Sequence, residues 1–147
     1  MLVDVVSAIS IARSPETVAA FAANPDNAPK WYANIRSVEW HTPRPLQVGS
    51  RVAFVAHFLG RRLSYVYEIT EYQPVSLLVM RTFHGPFPME TTYAWAPIGE
   101  GGTRMTLRNR GKPSGFSRFV SPIMIPAMKR ANRKDLARLK GLLEAGS

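Results

Sequence analysis

The side chains that most readily transfer a proton or hold a metal near neutral pH are three histidines, His41, His57 and His84, and ten carboxylates. The histidines share no motif: neither His-Glu-x-x-His nor a similar pair occurs. His41 and His57 sit beside Trp40 and Phe58 on strand-like runs, so alternation leaves their facing open; polar histidines on a sheet surface and no metal site are expected. Glu68 and Glu71 are three apart in an extended run, which directs them to opposite faces. Glu90 is out of phase with Tyr93 and is expected in solvent. Asp4 and Asp26 lie near ends or turns, where capping or solvation accounts for them. No acid pair is arranged for general acid–base work. Cysteine is absent, which excludes disulfides, thiolate zinc sites and a cysteine nucleophile. There is no Gly-x-Ser-x-Gly elbow or phosphate loop, and Gly99 to Gly102 reads as hairpin-turn chemistry. No cofactor is implied, and no catalytic residue can be named.

Aromatic and methionine side chains carry what remains. Phe54 and Phe58, Tyr65 and Tyr67, and Tyr93 and Trp95 recur at even spacing in strand-like runs, so each pair shares a face. Plain core and cavity lining are both open to them. Tyrosine adds a hydroxyl that needs a partner when buried. With Asn132, the tyrosines can supply the few polar contacts that orient an apolar ligand. The candidate ligand-binding set is Trp31, Phe54, Phe58, Tyr65, Tyr67, Met80, Phe87, Tyr93, Trp95, Met124, Met128 and Asn132. A tyrosine can also donate a proton in cyclisation or dehydration, if a neighbour lowers its pKa from about 10. The residue pattern names no such neighbour, and whether the chain is an enzyme stays open.

These residues need a scaffold. Ser7, Ile9 and Ile11 alternate with Ala8 and Ser10, the mark of a half-buried strand. Ser14-Pro15-Glu16 is a helix start with a cap, a first-turn proline and an acid at the positive dipole end. Asn24-Pro25-Asp26 ends that helix, and Asn27 to Tyr32 forms a second short one anchored by Trp31. Six strand-like runs follow, from Ile35 to Arg108, mostly joined by short turns. Such a meander is antiparallel with one packed face. The cover for that face is a helix from about Gly115 to Glu144, on which Met128, Asn132, Leu136, Leu139 and Leu143 make one stripe. Pro122 and Pro126 predict a kink or break in its first part. The fold class is α+β: a seven-stranded curved antiparallel sheet wrapped around a long C-terminal helix, with two short helices after the first strand.

This order, with specific segments, resembles the polyketide cyclase/dehydrase-like branch of the START/Bet v 1 (SRPBCC) superfamily of bacteria. The segments are Ser14-Pro15-Glu16-x-Val18, Trp31, Val48-Gly49-Ser50-Arg51, Phe58-Leu59-Gly60-Arg61 and Tyr67-Glu68-Ile69-Thr70-Glu71-Tyr72-x-Pro74. Gly85-Pro86-Phe87-Pro88, Gly102-Thr103-Arg104, and the ending from Pro126-Ala127-Met128-x-Arg130 to Lys140 complete the set. The resemblance covers nearly the whole chain and implies the helix-grip fold. It also implies a cavity between the sheet and the long helix, as in relatives that bind lipids, sterols, polyketides or hormones. Some relatives cyclise or dehydrate aromatic polyketides.

At 147 residues, with 46% hydrophobic and 20% charged residues, the chain suits one globular domain spanning 1–147. No apolar run reaches the length of a membrane span, and the first residues lack a signal-peptide pattern, so a cytoplasmic location is expected. The formal net charge of +9 raises a basic surface for anionic membrane or nucleic acid. Stacking on nucleic acid is disfavoured, because only Phe116 and Phe119 accompany the basic cluster. Three functions follow: binding of a small hydrophobic ligand; cyclase or dehydratase chemistry through pocket tyrosines, which requires a polar or charged group deep beside them; and adhesion to a polyanion. Phe116, Phe119, Ile123 and Met124 are candidates for a pocket mouth or for a homodimer contact.

Overall fold

The computed structural model describes residues 3–58, 60–84, 88–111 and 117–146, and within these every side chain except those of 58 and 117–122. The elements in order are β1 (Val3–Ile11), α1 (Pro15–Ala22), a 3-10 turn (Pro25–Asn27), α2 (Ala28–Trp31), β2 (Ile35–Trp40), β3 (Arg51–Phe58), β4 (Arg61–Gln73), β5 (Leu77–His84), β6 (Met89–Ile98), β7 (Gly102–Gly111) and α3 (Ser117–Ala145). The seven strands form one antiparallel sheet ordered β1-β7-β6-β5-β4-β3-β2. This is the expected helix-grip architecture. Ser14 caps α1, its hydroxyl accepting from the Thr17 backbone N–H at 3.2 Å. Asn24 caps the 3-10 turn by the same means at 3.0 Å. No helix of the described residues is long and apolar enough to cross a membrane.

Strand register settles which side chains face the helices. Val52 lies opposite Tyr67 and Phe54 opposite Tyr65. Ile69 lies opposite Met80, Met80 opposite Thr91, and Leu78 opposite Tyr93. Thr91 then pairs with Asn109 and Tyr93 with Leu107. Directly paired residues share a face, so all of these project to the concave side. Glu68 and Glu71 do not point to opposite faces. Between Ile69 and Glu71 the register shifts by a residue, so Glu71 pairs with Val79 while Glu68 pairs with Arg81. The bulge inserts Thr70 and returns Glu71 to the convex side. There Glu68 accepts from Arg51 at 2.9 Å, and the Arg51 guanidinium covers the exposed Phe83 ring at 3.6 Å.

The turn from β4 to β5 holds a strained residue. The Ser76 N–H donates to the Gln73 carbonyl at 3.0 Å, with Pro74 and Val75 between them. Val75 has φ 76°. A β-branched residue in the left-handed region costs about 1–2 kcal/mol, a conformation that Gly or Asn adopts more readily. Val75→Asn is expected to stabilise by about 1 kcal/mol and raise Tm by roughly 2–4 °C. An unchanged or lower Tm would show that the half-buried Val75 side chain contributes more than the strain removes.

The helix α3 runs without interruption from Ser117 to Ala145, through both prolines. The expected break is absent because this segment is held by packing: Met124 is buried against Val3 and Val5 of β1, with Ile125 and Met128 alongside. Pro126 is exposed, where a backbone carbonyl without its helical partner can be hydrated. Further along, Leu136, Leu139 and Leu143 enter the main core with Ile11, Val18, Trp31, Trp95, Met105 and Leu107. The outward side of α3 carries the exposed cations Lys129, Arg130, Arg133, Lys134 and Arg138.

Candidate functional site

The structure separates the candidate ligand-binding residues into groups. Trp31 is fully buried and Trp95 nearly so, both inside the core with Leu136 and Leu139 of α3. Met124 and Met128 pack toward β1. Phe54, Tyr67, Met80 and Tyr93 come together around a cavity of about 20 Å³, which Ala22, Ala23, Pro25, Ala28 and Leu46 cover from the helical side. Val52, Ile69 and Leu78 complete its floor. This hollow lies on β3 to β6 beneath α1 and α2, and no residue of α3 lines it. It has room for about one water molecule. Tyr65 stands beside Tyr67, ring centroids 5.9 Å apart. Asn132 is buried against β7. The Phe58 side chain, Phe87, Phe116 and the Phe119 side chain lie outside the described residues.

A line of buried polar groups crosses the concave face. The Asn132 amide donates to Asn109 Oδ1 at 2.7 Å, and the Asn109 amide donates to Thr91 Oγ1 at 2.9 Å. The Tyr67 phenol lies beside Thr91 at the end of this line, close enough for Thr91 to lower its pKa. Beside this line, the Tyr32 and Tyr93 hydroxyls lie 2.6 Å apart. Asp135 of α3 is almost wholly enclosed, and its Oδ1 accepts from the Ala33 N–H just beyond α2 at 3.1 Å. Burial pushes the Tyr67 hydroxyl up to about 12, with neighbouring Thr91 opposing. Burial also raises Tyr32 and Tyr93. Burial brings the Asp135 carboxyl up to about 6 against the Ala33 bond and the Arg138 charge, so near neutrality the phenols are intact while Asp135 is mostly ionised. Tyr67 retains accessible surface although protein surrounds it, as a wall of a concave space does.

Tyr32, Thr91, Asn109 and Asp135 belong to this site and were not among the candidates. Faint signals existed for three of them. Thr91 shares the phase of Tyr93, Asn109 continues that of Met105 and Leu107, and Asp135 falls three residues after Asn132 on the inner stripe of α3. The histidines His41, His57 and His84 are all exposed. Among the described residues no group of three or more His, Asp or Glu can hold a metal ion.

Leu46 reaches the cavity from the loop 41–50, and that loop is latched. Asp26 accepts from Arg44 Nε at 3.0 Å, from Arg44 Nη2 at 2.9 Å and from Trp40 Nε1 at 2.9 Å. The Arg44 guanidinium also lies 4.9 Å from the Trp40 ring centroid. The Arg44 bond holds the Asp26 carboxyl below the usual range. The latch is exposed and screened by solvent, so it adds little net stability. In Arg44→Ala, amide hydrogen exchange across 43–48 is therefore expected to quicken with little change in Tm. Unaltered exchange would show that Leu46 packing alone holds the loop.

Residues 3–144 match the family model for polyketide cyclase / dehydrase and lipid transport proteins. The chain belongs to this family. As a polyketide cyclase/dehydrase family member it shares its fold with several solved structures. The protein TTHA0849 from Thermus thermophilus is 21% identical, with a TM-score of 0.84 over 98% of this chain and 99% of that one. A START superfamily protein from Mycobacterium smegmatis is 13% identical, TM-score 0.81, over 98% and 99%. The Zhui aromatase/cyclase from Streptomyces sp. R1128 is 13% identical, TM-score 0.82, over 98% and 94%. At these identities the likeness establishes the START/Bet v 1 fold. No curated protein matches this family member at a significant level.

Proposed function

We propose that this family member binds a small, mainly apolar ligand between the concave face of the sheet and the helices, with the buried polar line orienting it. One observation carries the reading. Thr91, Asn109 and Asn132 form a connected hydrogen-bonded row of buried and half-buried polar side chains beside apolar walls, and half-buried Tyr67, next to Thr91, also borders the cavity. A core built for stability alone is better served by apolar residues there, whereas an apolar pocket with few convergent polar groups is the usual form of a ligand site. The cavity of about 20 Å³ means that a ligand enters by displacing walls, of which Leu46 on its latched loop and Tyr67 are the half-buried ones. Native mass spectrometry and thermal shift with fatty acids, sterols and polyphenols test this. Retained ligand with a rise in Tm is expected. No retained species and no shift across the panel would overturn the reading.

A second reading, cyclisation or dehydration of a polyketide-like substrate, is favoured by the Tyr32–Tyr93 pair and by the charge that Asp135 sets beside it. A protonated phenol and a carboxylate of raised pKa are the acid and base that removal of water from a β-hydroxy ketone uses. Zhui is an aromatase/cyclase on the same fold. Turnover of a poly-β-ketone that is lost in both Tyr93→Phe and Asp135→Asn, with folding intact, would establish it, and turnover unaffected by either change would reject it.

A further inference from the structure

The two faces of the protein treat their cations differently. On the convex side of the sheet, Arg51, Arg81 and Arg108 pair with Glu68, Glu90 and Asp4 at 2.9, 2.7 and 2.7 Å. On the outer side of α3, Lys129, Arg130, Arg133 and Lys134 are exposed, and none of them forms an ion pair among the described residues. The carboxylates between Ile123 and Ala145 are Asp135, enclosed on the inner side, and Glu144, which Lys140 and the Ala12 N–H engage. Neighbours three and four apart on the outer face are therefore alike in charge: Lys129 with Arg133, Arg130 with Arg133 and Lys134, and Lys134 with Arg138. Such contacts weaken a helix, and a helix kept only for its packing is better served by acids set among the bases. An anion from outside the chain relieves the repulsion.

The same face ends in an apolar side chain. Ile123 is 64% accessible, more than any other large hydrophobic residue among those described. It stands seven residues before Arg130 and eleven before Lys134, spacings that at 3.6 residues per turn put all three on one line, roughly 16 Å long. The opposite side of α3, with Met124, Leu136 and Leu139, is closed against β1 and the core, so this line looks away from the protein. A basic stripe with an apolar end has the form of a peripheral membrane contact, in which cations meet anionic headgroups and the apolar side chain reaches the acyl boundary. Other occupants fit less well. A second copy laid on this face in a twofold arrangement would set cations against cations. Single-stranded nucleic acid is held by stacking, and no aromatic residue stands between Ile123 and Ala145. The phosphate backbone of a duplex offers Ile123 nothing apolar to enter.

We propose that the outer face of α3 docks the protein on an anionic lipid bilayer, with Lys129, Arg130, Arg133 and Lys134 on the headgroups and Ile123 in the acyl boundary. The proposal is independent of what the pocket holds. Cosedimentation of the whole protein with phosphatidylcholine vesicles tests it, with phosphatidylglycerol raised from none to about 40 mol%. Binding is expected only with the anionic lipid, and about tenfold or more weaker in about 0.3 M salt than in about 0.05 M. Each cation at the surface contributes about fivefold, so Arg130→Gln/Lys134→Gln is expected to lose at least about tenfold. Its Tm should not fall, because glutamine is a good helix former and like-charge contacts are removed. Arg62→Gln/Arg104→Gln makes the same change of net charge at exposed positions of the convex face and is expected to lose less than about threefold. Ile123→Ser is expected to lose roughly fivefold. Equal binding to neutral and anionic vesicles overturns the proposal, as does full binding by Ile123→Ser. Equal loss in the two double variants also overturns it, by making net charge and not this face the cause. Tighter binding of a DNA duplex than of vesicles at the same salt, or dimerisation that Ile123→Ser abolishes in a protein that ignores vesicles, gives the face to another occupant and overturns it too.

Discussion

Trp31→Ala is expected to cost about 3–5 kcal/mol and to lower Tm by on the order of 10 °C. Trp31 has no exposed surface. Its ring meets Tyr32 at 4.1 Å and Tyr93 at 5.8 Å between centroids, and it shares a core with Val18, Leu136 and Leu139. Truncation leaves a hole that two short helices, a sheet and a long helix must all move to close. Against a total stability of about 5–15 kcal/mol, that loss brings the domain close to unfolding at 37 °C. Trp31→Phe should cost less than half as much. It retains most of the ring and removes an indole N–H that is buried without a partner among the described residues. Thermal or urea denaturation of both variants measures this. A cost under about 1 kcal/mol for the alanine variant would mean that Trp31 borders a space already able to absorb the loss, making it a pocket wall and not core.

Asp135→Asn is expected to stabilise the protein at pH 8 by on the order of 2 kcal/mol, and not at pH 4. The folded carboxyl titrates near 6, against an ordinary value of 3.8. The native state therefore holds the Asp135 proton more tightly than the unfolded chain does. Its contribution is complete below about pH 4, is lost as pH rises through 6, and stays lost above 7. The asparagine keeps an oxygen for the Ala33 N–H and buries no charge. Asp4, Asp26 and Glu144 have lowered values and slope the other way in acid, but they are common to both proteins and cancel in the comparison. Parallel melts at pH 4, 6 and 8 give the test. A Tm difference that does not change with pH would show that Asp135 ionisation is not linked to folding. Retention of a destabilising charge in wild type is itself informative, because a buried group that costs stability marks a functional position more often than a structural one.

The pattern of alternation carried far. Opposite positions such as Phe54 and Tyr65, or Tyr93 and Leu107, fall on the concave face because the side-chain period in a strand is two and a covered sheet needs one apolar side. Where the rule failed, it failed at a bulge: one extra residue at Thr70 turned Glu71 to the face of Glu68, and nothing in the local residue types announces such an insertion. The break expected at the prolines of α3 is absent for a related reason. Proline propensity is a local cost, and the contacts of Met124 with Val3 and Val5, more than a hundred positions away, outweigh it.

The order of elements, the inward set of the strands outside the bulge at Thr70, the apolar stripe of α3 and the family were determined by the sequence alone, since all of them rest on short-range periodicity and ordered motifs. Only the tertiary structure decided which inward residues are core and which border space. It enclosed Trp31 and Trp95 with the leucines of α3, and left Phe54, Tyr67, Met80 and Tyr93 around the hollow. It alone assembled Asn132, Asn109 and Thr91, drawn from α3, β7 and β6, into one hydrogen-bonded row beside Tyr67 of β4, and gave Asp135 its raised pKa. Hydrogen bonding and desolvation depend on distances of a few ångströms between groups far apart along the chain, and those distances come into being only when the sheet curves and the helix closes over it.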